Sequence, residues 1–155
     1  MTLPAMKEFP WWCGDCGRQE IRPASEPYRI EARHDGELHV IDVPELRAPK
    51  CAACGNIVFG REEDEQVNTA IRERFGLLPP EEIRRRREAL GIGRPDLAAR
   101  LDVDEETLLR WESGALIQST ASDRLLRLCF DVPEARAYLG ITEAGLRRAD
   151  SAGAA

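Results

Sequence analysis

Two short stretches repeat one pattern. "WCGDCGR" carries Cys13 and Cys16, "KCAACGN" carries Cys51 and Cys54, and each pair has two residues between its cysteines and a glycine after it. In a C-x-x-C-G turn two thiolates converge while backbone N–H groups approach the sulfurs, and the glycine takes the positive φ such a turn demands. Two turns supply four thiolates, a complete tetrahedral set with zinc–sulfur distances of about 2.3 Å. The spacing therefore predicts one structural Zn²⁺ per chain, held by Cys13, Cys16, Cys51 and Cys54. With every position filled by cysteine, none is open for an activated water, so a catalytic metal is not expected.

The fifth cysteine, Cys129, stands between Leu128 and Phe130 and reads as a small core residue. His34 and His39 read as ordinary surface histidines of a hairpin. Trp11 and Trp12, beside the first knuckle, are expected to shield the metal, an exposed partner-binding role being the alternative. No nucleophile–base pair, phosphate loop or open metal site can be picked out, so an enzyme is not expected.

Those cysteines need a scaffold. Up to about residue 60 the chain reads as strands and turns: "YRIEA" (28–32) and "LHVIDV" (38–43) flank Asp35-Gly36, a strong hairpin signal. Prolines 23, 27, 44 and 49 punctuate the remainder. So small a unit, poor in apolar residues, needs a staple, and metal binding supplies roughly 10–16 kcal/mol.

From about Arg61 the pattern turns helical. "REEDEQVNTAIRERFG" sets Val67, Ile71 and Phe75 on one stripe, and "LLPP" (77–80) reads as a linker. Short helices follow over 80–91, 94–101, 104–114, 119–130 and 133–140, with Thr120 and Asp123 as a capping box. The predicted fold class is α+β: a small N-terminal β-rich zinc-binding domain (1–60), a connecting helix and linker (61–79), a five-helix all-α domain (80–148) and a disordered tail (149–155).

Composition narrows the function. No apolar run approaches the ~18 residues that cross a membrane, and "MTLPAMKEFPWW" lacks the features of a signal peptide. A cytoplasmic protein is expected. The net charge of −6 works against broad attraction to nucleic acid. Neither half is basic: residues 1–76 carry 10 basic and 14 acidic side chains, and residues 77–155 carry 12 and 14.

The segment 92–114, "IGRPDLAARLDVDEETLLRWESG", nevertheless resembles the helix-turn-helix of the Xre (phage-repressor-like) family almost position for position. Leu97, Ala98 and Leu101 would pack the first helix on the second, Val103 would anchor the turn, and Leu108 and Trp111 would form the inner face of the recognition helix. The ending Arg110-Trp111-Glu112-x-Gly114 is a strong family mark. Two C-x-x-C knuckles, a linker and an Xre-like unit ending "DRLLRL…PEARAYL" together resemble the MqsA antitoxin family, the YgiT-type zinc-finger/helix-turn-helix proteins, over roughly residues 10–140. That resemblance implies a dimer formed through the C-terminal domain, DNA binding by that domain, and a zinc domain able to hold a toxin ribonuclease. A dimer of this kind reads a palindromic operator.

The outward face of the recognition helix is Glu105, Glu106, Leu109 and Arg110. The family motif has asparagine at the position of Glu106 and arginine at that of Arg110, both reading bases, so only the arginine is kept. Arg94 stands where relatives usually have glutamine, and is expected to grip phosphate. The candidate DNA-binding residues are thus Arg94, Glu106, Leu109 and Arg110. Glu106 and Arg110, at i and i+4, are expected to pair for about 0.3–0.5 kcal/mol, too little to withhold Arg110 from a guanine contact of about 1–3 kcal/mol. Asp104 is placed to cap the helix. The run Arg84–Arg87 spreads around its helix, leaving about two of its arginines able to reach DNA.

Two rival readings stand beside the DNA-binding regulator. In one, the zinc domain with Trp11 and Trp12 captures a partner protein and the helix-turn-helix has lost DNA reading. In the other, the four thiolates hold iron as in a rubredoxin-like electron carrier.

Overall fold

The computed structural model describes residues 8–141. The expected disordered tail (149–155) and the last residues assigned to the helical domain lie outside the described residues. The chain divides into two compact units, one comprising the chain up to Ala32 with Leu38–Ala70, the other Arg33–Glu37 with the chain from Ile71 onward.

The first unit is built on an antiparallel hairpin of β1 (Ile21–His34) and β2 (Glu37–Cys51). Asp35 and Gly36 form the turn between them with φ of 51° and 84°, the positive pair of a type I′ turn, whose twist matches that of the strands. Arg29 and Asp42 form an ion pair across the ribbon at 2.6 Å. The strands are far longer than the two expected segments. All four prolines read as breaks lie inside them. The reason is that a two-stranded ribbon has no central strand, so alternate N–H groups point away from the partner and a proline there costs no ladder bond.

Beneath the ribbon, Val43, Leu46 and Ala48 are buried, with Tyr28, Ile57, Val67 and Ala70 packed against them. Val67 and Ala70 belong to α1 (Arg61–Phe75), which is further tied to β2 by Gln66, whose Oε1 accepts from Arg47 N and whose Nε2 donates to Arg47 O.

The second unit holds α2 (Pro80–Ala89), α3 (Arg94–Arg100), α4 (Glu105–Ser113), α5 (Thr120–Asp131) and α6 (Pro133–Tyr138). Six helices therefore follow the hairpin among the described residues: α1 in the stretch expected to carry the connecting helix, and five more between Pro80 and Tyr138, within the expected five-helix domain. Helix α4 packs on α2 and α3, and α5 packs on α2 and α6. Their shared core contains Ile83, Leu97, Ala98, Leu101, Leu108, Trp111, Leu126 and Phe130. Cys129 is fully buried among them, and burial pushes its thiol up.

Three local expectations are corrected. Leu77 and Leu78, read as linker, are 6% and 3% exposed. The cap of α5 is Ser119, whose Oγ accepts from Ser122 N, rather than Thr120; Asp123 turns inward instead and accepts from Leu78 N, Gln118 Nε2 and Arg127 Nε, the partners that a buried carboxylate requires. His34, read as a surface residue, is 9% exposed, its ring stacked on Phe75 at 4.3 Å with Nε2 3.2 Å from Thr120 Oγ1.

Candidate functional site

The two knuckles superpose in their bonding. Cys13 N donates to Arg18 O at 2.8 Å and Gly17 N to Cys13 O at 3.0 Å; Cys51 N donates to Asn56 O and Gly55 N to Cys51 O, both at 2.8 Å. Gly17 and Gly55 close these turns with φ of 67° and 79°. Each knuckle hangs on the ribbon by a bridge, Trp11 pairing with Ile21 and Lys50 with Ile57. In this way the long hairpin brings residues 35 or more positions apart onto one point.

All four sulfurs lie within 4.8 Å of one another. The short approaches run between knuckles, Cys13 to Cys54 at 3.6 Å and Cys16 to Cys51 at 3.7 Å. A tetrahedron with metal–sulfur bonds of about 2.3 Å has edges of about 3.8 Å, whereas a disulfide needs about 2.05 Å. The donor set fits a tetrahedral metal ion and no disulfide is present among these five free cysteines. Neither His34 nor His39 belongs to the cluster.

Crowding four thiols together drives their affinities for protons apart. The Cys16 and Asp15 backbone N–H groups bring the Cys13 thiol down to about 6. At Cys54 the Asn56 N–H pulls downward, but burial and the Cys13, Cys51 and Cys16 sulfurs outweigh it and push the thiol up to about 12. At Cys16 the Arg18 N–H is likewise outweighed by burial and by Cys51, and the thiol rises. One sulfur is thus ready to bind a cation while two neighbours hold protons that a cation must displace.

The two tryptophans part company. Trp11 packs against the buried trio Cys13, Ile21 and Cys51, with Phe9 stacked on it at 4.3 Å. Trp12 points outward and is 69% exposed. Only Trp11 shields the knuckles.

In the second unit the chain passes from α3 to α4 through Asp102, at φ 54°, and Val103, whose N–H donates to Ala98 O at 3.0 Å. The inner face of α4 is Leu108, Trp111 and Glu112, at 0%, 5% and 6% exposure. Its outer face presents Glu105, Glu106, Leu109 and Arg110, all exposed. Glu106 and Arg110 make no ion pair with each other in the structure, so the expected i, i+4 bond is absent; on an exposed face its small gain is matched by side-chain entropy. Asp104 sits at the N-cap without a side-chain cap bond.

Arg94 does not stand free in solvent. Its Nε and Nη2 donate to Glu112 Oε2 at 3.2 and 3.1 Å. The same carboxylate takes Arg87 Nε at 2.6 Å and Arg87 Nη2 at 3.1 Å. Glu112, recognised in the sequence only as a family mark, is the charged hub of this unit, and its spacing from Trp111 on a helix that otherwise buries apolar residues was the available signal. The run Arg84–Arg87 is largely committed as well. Arg85 and Arg86 bind Glu82, Arg86 also binds Asp131, and Arg87 binds Glu112. Arg84 alone of the four is exposed without an ion pair among the described residues.

No helix among the described residues is long and apolar enough to cross a membrane. A scan against protein-family models finds no match to the chain. A search of the curated proteins likewise finds none.

Proposed function

We propose that this protein is a DNA-binding transcriptional regulator of the antitoxin-like type, its N-terminal unit stapled by one structural zinc ion. The observation that carries the reading is the division of α4 into two faces. Leu108, Trp111 and Glu112 hold the helix from inside, while Glu106, Leu109 and Arg110 project from a nine-residue rod of a size that a major groove admits. Arg110 can bond guanine bidentately, Glu106 can accept from cytosine N4, and Leu109 can meet a thymine methyl. The likeness of residues 92–114 to Xre-type helix-turn-helix units supports the same reading, as does the MqsA/YgiT-type arrangement of knuckles and helices. On that likeness the protein is a homodimer through its C-terminal domain and reads a palindrome.

Zinc is favoured over iron because a closed four-thiolate site serves zinc's structural role without a redox partner; metal analysis and the colour of native-expressed protein decide between them. When bound, the ion cross-links the two ends of the hairpin.

The test of DNA reading is selection from a random duplex library at about 50 mM salt, where phosphate contacts are strong, with wild-type and Arg110→Ala proteins side by side. An enriched palindrome that the variant fails to select supports the proposal. No enrichment by metal-loaded wild type overturns it.

One observation favours a second reading. Trp12 is 69% exposed and Phe9 38% exposed beside the metal knuckle, a large apolar surface for so small a unit. A protein partner, such as a toxin ribonuclease, would cover it. Under this reading a Trp12→Ala variant loses the partner while the metal content is unchanged.

A further inference from the structure

One guanidinium neutralises one carboxylate, yet Glu112 has two. Arg87, from α2, already satisfies both of its oxygens, with side-chain exposures of 9% for the arginine and 2% for the glutamate. Arg94 then adds two more N–H groups to Oε2. Arg87 also lies 3.7 Å from Glu88 Oε1, so the cluster sets two guanidiniums against two carboxylates. What distinguishes Arg94 is its placement. Arg94 is the first residue of α3 and Glu112 lies in the last turn of α4. The apolar contacts among Leu97, Ala98, Leu101, Leu108 and Trp111 resist separation of the two helices but are non-directional. Two N–H groups of a rigid fork on one oxygen are directional.

We infer that Arg94 is a positioning residue for the outer face of α4 rather than a phosphate contact: anchored on Glu112, it sets the angle at which Glu106, Leu109 and Arg110 meet the edges of base pairs. The inference rests on the reading of α4 as the DNA-facing helix. Its consequence is that Arg94 governs discrimination between sequences more than attraction to DNA as such.

Arg94→Lys separates the two roles, because lysine keeps the charge and serves a phosphate well but lacks the fork. The measurement is fluorescence anisotropy of full-length, metal-loaded protein with two duplexes across 50–200 mM salt. One is the sequence selected by wild type, the other a scrambled duplex of equal length. The expected result is a fall of about tenfold in preference for the selected duplex, the size of one misaligned base contact, with scrambled-duplex affinity and salt slope unchanged. Full preference in Arg94→Lys, together with an Arg94→Gln variant that weakens both duplexes equally and lowers the log–log salt slope by about 0.9, would make Arg94 a phosphate contact and overturn the inference.

If wild type selects no duplex, the DNA reading fails and the helix anchor is decided without DNA. In Arg94→Lys the indole N–H resonance of Trp111, neighbour of Glu112, is expected to shift while the resonances of Trp11 and Trp12 stay in place. An unmoved Trp111 resonance overturns the anchor.

Discussion

The backbone N–H of Leu78 donates to Asp123 Oδ1 across 2.7 Å of buried space. Gln118 closes the loop: its Nε2 donates to Leu78 O at 2.8 Å and to the same Asp123 oxygen at 3.1 Å. Asp123 Oδ2 takes Arg127 Nε at 2.7 Å. A stretch with the composition of a linker is in this way fastened to the start of α5 by a side chain from it.

Replacing Asp123 with alanine leaves two buried donors, Leu78 N–H and the Gln118 amide, short of an acceptor at about 1–3 kcal/mol each. The expected outcome in thermal unfolding followed at 222 nm is a midpoint lowered by about 10 °C or more. A variant within 2–3 °C of wild type (about the effect of a few tenths of a kcal/mol) would mean that water replaces the carboxylate.

Glu112→Ala strands Arg87, whose side chain is 9% exposed, without its carboxylate. Breaking a buried pair from one side costs about 3–5 kcal/mol. The loss should exceed that of Arg94→Gln, because Arg94 is 29% exposed and can turn to solvent. Chemical denaturation of the three proteins checks the order; equal losses would contradict it.

Cys16→Ser and Cys54→Ser each remove one of four thiolates. Both are expected to reduce bound metal from about one ion per chain to near zero, measured by elemental analysis. The helical signal at 222 nm should persist, since the core of the second unit contains none of these cysteines. Metal retained at full stoichiometry in either variant would exclude that residue as a ligand.

Metal uptake should release protons. At pH 7 Cys13, at about 6, is mostly thiolate, whereas Cys54, at about 12, and Cys16, shifted upward, carry protons. Binding therefore releases at least the two protons of Cys16 and Cys54. Protons and metal compete, so affinity falls as the pH falls, and more steeply below about 6, where Cys13 takes up its proton too. Calorimetric titration in buffers of different ionisation enthalpy counts the protons; release of fewer than two would refute this ordering.

Much of the site was legible before the fold. The two C-x-x-C-G turns predict a four-sulfur cluster because ligand type, spacing and the glycine's positive φ are local properties. The Asp35-Gly36 turn was readable for the same reason. The strand lengths were not, because prolines 23, 27, 44 and 49 break a strand only where its N–H groups face a neighbour, and whether they do depends on how many strands the sheet has. The ion pair of Arg94 with Glu112 was not legible, because position along a motif says nothing of a partner eighteen residues away.

Chemistry within a few residues was enough to single out the four cysteines that could hold a metal ion, the place where the hairpin turns, and the apolar face of α4. Tertiary structure alone decided which charges are spoken for. Arg85, Arg86, Arg87 and Arg94 are bound to Glu82, Asp131 and Glu112, while Arg84 and Arg110 remain exposed. An ion pair is made by the packing of helices that bring distant side chains within about 3 Å, and a guanidinium's availability to any partner is settled only by what it meets there.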